Sequence, residues 1–214
     1  MGTVAIVDYG MGNLHSIAKA LAAVAPKAEV LITHDKSLIQ SADRVVFPGV
    51  GAIRDCMTAL RELALEEPLR RAAAEKPLLG ICLGMQALLE FSEENDGVAG
   101  LGMLPGRVMR FAEHLHDAHG EPLKIPHMGW NQVHQLSEHP LWRGIAQDSR
   151  FYFVHSYFAQ PTNAALVAAT ADYPTPFACA LAQGNLFAVQ FHPEKSQQAG
   201  LRLLENFLGW DGAC

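Results

Sequence analysis

The sequence predicts an open α/β fold: a mostly parallel sheet with flanking helices and an appended antiparallel section. Two patterns predict it. From the N-terminus to about residue 100, short apolar runs alternate with segments of helical period, and strands separated by helices form parallel sheets covered on both faces. After residue 105 the strand-like runs follow one another without such helices, which suggests hairpins and antiparallel pairing. Length sets a third bound. A chain of 214 residues is expected to form one domain, residues 1–214, burying roughly 70% of the surface its unfolded form exposes.

The elements follow in order. Thr3 to Val7 reads as a strand, Leu14 to Val24 as an apolar-periodic helix and Glu29 to Ile32 as a second strand. A third strand, Arg44 to Phe47, is stopped by Pro48-Gly49, and a helix from about Ala52 to Leu65 follows. Pro77 to Ile81 is a short buried strand leading directly into an amphipathic helix, Leu83 to Phe91. Six further strand-like runs are Val108–Phe111, Trp130–Val133, Phe151–Phe158, Ala165–Thr170, Phe177–Leu181 and Leu186–Phe191, before a last helix from about Gln198 to Leu208. No internal repeat or low-complexity linker interrupts them.

The decapeptide Pro77-Leu78-Leu79-Gly80-Ile81-Cys82-Leu83-Gly84-Met85-Gln86 carries the most chemistry. It places a cysteine between two glycines on a strand-to-helix turn, the layout of a nucleophile elbow. Gly80 and Gly84 lack the Cβ atoms that would collide in so sharp a turn, and the helix N-terminus aims free N–H groups at the sulfur. Alone, such a cysteine fits a small core residue equally well. A second segment shifts the balance: the run Leu186 to Phe191 stops at His192-Pro193-Glu194, presenting an imidazole and a carboxylate at one strand end. The expected roles are Cys82 as nucleophile, His192 as the base that takes and returns the proton, and Glu194 as the group that orients the imidazole.

Charge and composition narrow the function classes. Sixteen basic against 22 acidic side chains give a net charge of −6, which argues against a nucleic-acid footprint. The N-terminus enters a strand without a basic region or cleavage site, and the longest apolar window, Pro77 to Leu89, is too short to span a bilayer. A cytoplasmic chain without membrane contact is expected, with Cys56, Cys82, Cys179 and Cys214 reduced. No cofactor is called for. His114, His116 and His119 lie on a polar stretch without a second ligand group, so a solvated surface is favoured there over a metal site.

The elbow decapeptide together with Phe191-His192-Pro193-Glu194 resembles the class I (triad) glutamine amidotransferases, which have a flavodoxin-like sheet, hydrolyse the amide of glutamine and hand ammonia to a synthase. Three further segments are Val7 to Leu14, Pro126 to Asn131 and Tyr152 to Tyr157. They are similar to the branch that supplies a (β/α)8-barrel cyclase in histidine biosynthesis, and the likeness covers essentially the whole chain. The resemblance implies that Pro48-Gly49-Val50-Gly51 is an oxyanion strand, although a turn with two glycines is also simply a turn. In that reading the N–H groups of Leu83 and Val50 meet the tetrahedral oxygen, and the Gly49–Val50 peptide reorients when the partner holds its own substrate. It further implies that Gly49, Gly51, Gln86, His155, Ser156 and Tyr157 hold glutamine. Tyr9, Met11, Asn13, Trp130 and Lys195 would face the cyclase, Lys195 pairing with a carboxylate there. No synthase segment is visible, so a heterodimer is expected. Other readings are a free-standing cysteine hydrolase (a γ-glutamyl hydrolase or peptidase), an ammonia donor for another synthase, and a non-catalytic binding module.

Overall fold

A computed structural model of the chain describes residues 2–117 and 119–213; Cys214, expected to be a reduced thiol, lies outside them. The first half reads β1 (Thr3–Val7), α1 (Leu14–Val24), β2 (Glu29–Thr33), α2 (Lys36–Ser41), β3 (Arg44–Gly49), α3 (Ile53–Glu62), α4 (Glu66–Glu75), β4 (Leu78–Cys82) and α5 (Leu83–Ala87). There follow β5 (Leu89–Ser92), β6 (Val98–Ala99), β7 (Leu104–Arg110), β8 (His127–Gln132), β9 (His134–Gln135), β10 (Arg150–His155) and β11 (Tyr157–Pro161). The chain closes with β12 (Val167–Asp172), β13 (Pro176–Gln183), β14 (Leu186–Val189) and α6 (Gln197–Gly209).

The main sheet runs β2-β1-β3-β4-β14-β13-β11-β7-β5-β6, with β12 and β9 joined beside β13. Its first five strands are parallel throughout, and β14 to β13, β13 to β11 and β11 to β7 pair antiparallel. β8 and β10 form a separate antiparallel pair in register from Arg150 opposite Gln132 to His155 opposite His127.

Strand alternation builds the two apolar layers. Ala5, Val7, Val45, Phe47 and Leu78 join one cluster with Ile39, Ile53, Met57, Leu60 and Leu69 of α2 to α4. Val4, Ile6, Val46, Leu79 and Ile81 join the other with Ile17 and Leu21 of α1 and Leu203, Leu204 and Phe207 of α6. Successive side chains of a strand point to opposite faces, so short apolar runs seal both sides, each buried Leu, Ile or Phe contributing about 1.5–3 kcal/mol. The parallel register brings the carboxyl ends of β1, β3, β4 and β14 together, where open α/β sheets place their ligands.

Several elements differ from expectation. The helix after Cys82 ends at Ala87 rather than Phe91, because Leu89 to Ser92 pairs with β7 as a strand. The run from Phe151 to Phe158 is broken at Ser156 into β10 and β11, which belong to different sheets. α2 and α4 are not among the elements the sequence predicts; α2 is capped by Asp35, whose carboxylate accepts from the N–H groups of Ser37 and Leu38, an N-cap worth about 1 kcal/mol.

Candidate active site

Cys82 closes β4 and opens α5 with φ 54 and ψ −111, a backbone state that non-glycine residues adopt only where their surroundings hold it. Gly84 is obligatory two residues on, since a Cβ there would collide with the Phe47 carbonyl of β3. This close approach sets α5 against the sheet.

His192 follows β14, its Nδ1 lying 3.0 Å from Glu194 Oε1. Both side chains are almost fully buried, at 2% and 1% exposure. The turn that holds them is fastened twice: Ser196 Oγ accepts from the Tyr152 N–H at 2.9 Å and donates to the His192 carbonyl at 2.6 Å, while Gly200 lets α6 approach the Pro193 carbonyl. Burial opposes a charged imidazole, but the Cys82 sulfur and the Glu194 carboxylate outweigh it and push the His192 pKa up to about 10.

A pocket of about 240 Å³ opens over the sulfur, lined by Val50, Gly51, Cys82, Leu83, Gln86, Glu94, Val154, His155, Ser156, Tyr157 and His192. The size and mixed lining suit a small polar metabolite. Among the described residues no group of three His, Cys, Asp or Glu side chains is placed to hold a metal ion, and no helix is long and apolar enough to cross a membrane.

Against this geometry stand the relatives. The family model of glutamine amidotransferase class-I matches residues 5–209. The chain is 66% identical to the imidazole glycerol phosphate synthase subunit HisH of Methylococcus capsulatus, over 99% of this chain and 98% of that protein. It is 60% identical to the subunit of the same name from Nitrosococcus oceani, over 99% of both. The chain belongs to the class-I glutamine amidotransferases, with the imidazole glycerol phosphate synthase HisH subunits. It is therefore an enzyme, and the printed name of those relatives describes them as subunits. Solved amidotransferases share the fold: a crystal structure of a glutamine amidotransferase superposes with a TM-score of 0.70 at 20% identity, covering 96% of this chain and 97% of that one. A putative GMP synthase subunit from Thermoplasma acidophilum gives 0.68 at 21% identity, covering 98% and 93%.

Within this amidotransferase the expected residues distribute unevenly. Cys82, His192, Val50, Leu83, Gly51, Gln86, His155, Ser156 and Tyr157 all line the pocket. Gly49 does not; it ends β3 opposite Cys82 in the strand register. Tyr9, expected on the docking face, is buried instead, its ring tilted against Phe47 and its hydroxyl donating to the Pro48 carbonyl at 2.8 Å. That bond satisfies an otherwise buried donor and ties the first loop to the oxyanion segment. Met11 packs over Gly51, Asn13 is exposed, and Trp130 is 42% exposed. Lys195 Nζ sits 5.8 Å from the centre of the Tyr152 ring, against which Trp130 packs edge-on at 6.1 Å.

Three further residues join the site. Gln190, fully buried, places Nε2 3.7 Å from Cys82 Sγ and accepts from Gln86 Nε2 at 2.9 Å. It was findable as the lone polar residue in the apolar run before His192. Glu94 lines the pocket and accepts the Ile53 N–H at the start of α3, and Ser196 braces the histidine turn; nothing in their sequence neighbourhood marks either.

Proposed function

We propose that this chain, acting as a single domain over residues 1–214, hydrolyses glutamine to glutamate and ammonia through Cys82, His192 and Glu194, and passes the ammonia to a (β/α)8-barrel cyclase subunit. One observation carries the reading: a cysteine held at positive φ at the foot of a small pocket of mixed lining, beside a buried His192–Glu194 pair.

In this mechanism the Cys82 thiolate attacks the γ-carboxamide carbon, and the N–H groups of Leu83 and Val50 stabilise the oxyanion. His192, protonated and oriented by Glu194, gives its proton to the departing nitrogen, so ammonia leaves and a γ-glutamyl thioester remains. Neutral His192 then takes a proton from water, whose oxygen attacks the thioester carbon. Glutamate departs as the sulfur recovers its electron pair, and the proton stays on His192. The Glu94 carboxylate on the pocket wall suits the α-ammonium group, while Gly51, Gln86, Ser156 and Tyr157 provide polar contacts for the rest of the amino acid. Ammonia released here feeds the cyclase reaction of histidine biosynthesis, which yields imidazole glycerol phosphate and aminoimidazole carboxamide ribonucleotide. The cytoplasm is the compartment this requires.

A glutamine-like chloroketone tests the assignment. It is expected to modify Cys82 ahead of Cys56 and Cys179, because burial raises the thiol pKa of both alternatives, Cys56 to about 12. Peptide mapping that finds the dominant adduct on another cysteine overturns the nucleophile.

A further inference from the structure

The segment Pro126 to Asn131 contributes only Trp130 to the reading above, yet its inward side chain, His127, is 4% exposed and bonded to the pocket wall. The direction of each hydrogen bond there is fixed from both ends. His155 Nδ1 lies 2.8 Å from the Tyr157 carbonyl oxygen, which only accepts, so Nδ1 carries the proton. In a neutral ring Nε2 is then an acceptor, and it lies 2.9 Å from His127 Nδ1. At the far end, Asn131 Oδ1 accepts from the Gln132 N–H at 2.8 Å and Nδ2 donates to the Asp172 carbonyl at 2.9 Å, which fixes the amide orientation. Nδ2 also lies 3.3 Å from His127 Nε2, so that nitrogen accepts and Nδ1 is left as the donor. Both ends demand the same pair of tautomers.

The chain of bonds continues toward the sulfur. The Tyr157 carbonyl accepts a second bond from Gln86 Nε2 at 3.1 Å, and Gln86 in turn donates to Gln190, which approaches Cys82. We propose that His127 is a positioning residue of the glutamine pocket: by donating to His155 it holds that ring in the Nδ1–H tautomer, and so fixes the Tyr157 carbonyl, Gln86 and Gln190 behind Cys82. This rests on the reading of the pocket as the glutamine site. The rings are built to stay neutral. His127 stacks on Tyr173 at 4.0 Å and Phe153 at 5.0 Å, burial lowers His155 to about 3 and His127 to about 4, and an extra proton on either would set two N–H groups face to face. Met128 and Trp130, on the same strand, are 61% and 42% exposed, so a contact made on that outer surface acts directly on the strand that carries the relay.

The experiment joins a spectrum to kinetics. Imidazole nitrogen NMR of the full chain at neutral pH is expected to report the Nδ1–H tautomer for both His155 and His127. His127→Phe keeps the aromatic stack and removes both nitrogens; in the complex with the cyclase it is expected to lower kcat/KM for glutamine about tenfold, mainly through KM, as a buried acceptor loses its donor. His127→Asn, which returns an amide N–H near the Nδ1 position, is expected to come back to within about threefold of wild type. An Nε2–H tautomer at His155 in the wild type, or wild-type kcat/KM in His127→Phe, overturns the proposal. A wild-type complex that does not hydrolyse glutamine at all removes the glutamine reading instead, while the tautomers remain decided by the spectrum.

Discussion

At Cys82 the fold spends conformational energy to place one sulfur. A positive φ at a residue with a Cβ costs of order 1–3 kcal/mol, and the packing of α5 on β3 through Gly84 offsets it. The neighbouring imidazole is the main electrostatic decision of the site. With a pKa near 10, His192 enters the reaction protonated, ready to protonate the leaving nitrogen. His155, only a short distance along the wall, is kept neutral by burial, so it does not compete as the acid. His192→Ala is therefore expected to remove nearly all glutamine hydrolysis, while Glu194→Gln retains a measurable remainder, since the carboxylate acts through the ring rather than on substrate. Steady-state ammonia release ranks the two. Near-wild-type turnover in both variants moves the base elsewhere.

At the scale of elements, two glycine approaches hold the catalytic groups: α5 against the Phe47 carbonyl at Gly84, and α6 against the Pro193 carbonyl at Gly200. In each case the obstacle to a side chain is backbone, which cannot step aside. Gly84→Ala is expected to cost about 2 kcal/mol or more of stability and to displace Cys82, with activity falling further than the loss of folded protein explains; unchanged unfolding midpoints would contradict the packing. The first four parallel strands and the elbow were legible in the sequence because short apolar runs bounded by Pro and Gly leave few alternatives. The end of α5 was not, since Leu88-Leu89 fits a helix and a strand equally, and only pairing with the distant β7 decides between them. Tyr9 carried the same ambiguity. A tyrosine in a loop reads as surface, and its partner, the Pro48 carbonyl, is 39 residues away. Gln190, Glu94 and Ser196 likewise acquire meaning only through residues remote in sequence.

Across the whole molecule, three buried histidines set the acid limit of the fold. His127 and His139 are lowered to about 4 and His155 to about 3, each by burial, against an ordinary value near 6.5. Their contribution is complete above about pH 6.5 and is lost as pH falls toward the folded values, because the unfolded chain takes up protons first. His192 has the opposite sign, its contribution being complete below about 6.5 and lost as pH rises toward 10. Urea midpoints are thus expected to fall between pH 6.5 and 4.5; a rise over that interval would contradict the burial of these rings. The same molecule exposes Trp130, Lys195 and Asn13, residues proposed to meet the cyclase. Coupling across it is proposed to work through one peptide, Gly49–Val50. Losing a single oxyanion donor costs on the order of 100–1,000-fold in rate, so a peptide turned the wrong way silences the site and a partner that rights it restores turnover. The most direct test is ammonia release from glutamine by this chain alone, with the cyclase, and with the cyclase holding its nucleotide. The account predicts a poor glutaminase alone and a rise of roughly 100-fold or more with the loaded partner. Full turnover by the isolated chain would contradict it and favour a free-standing hydrolase.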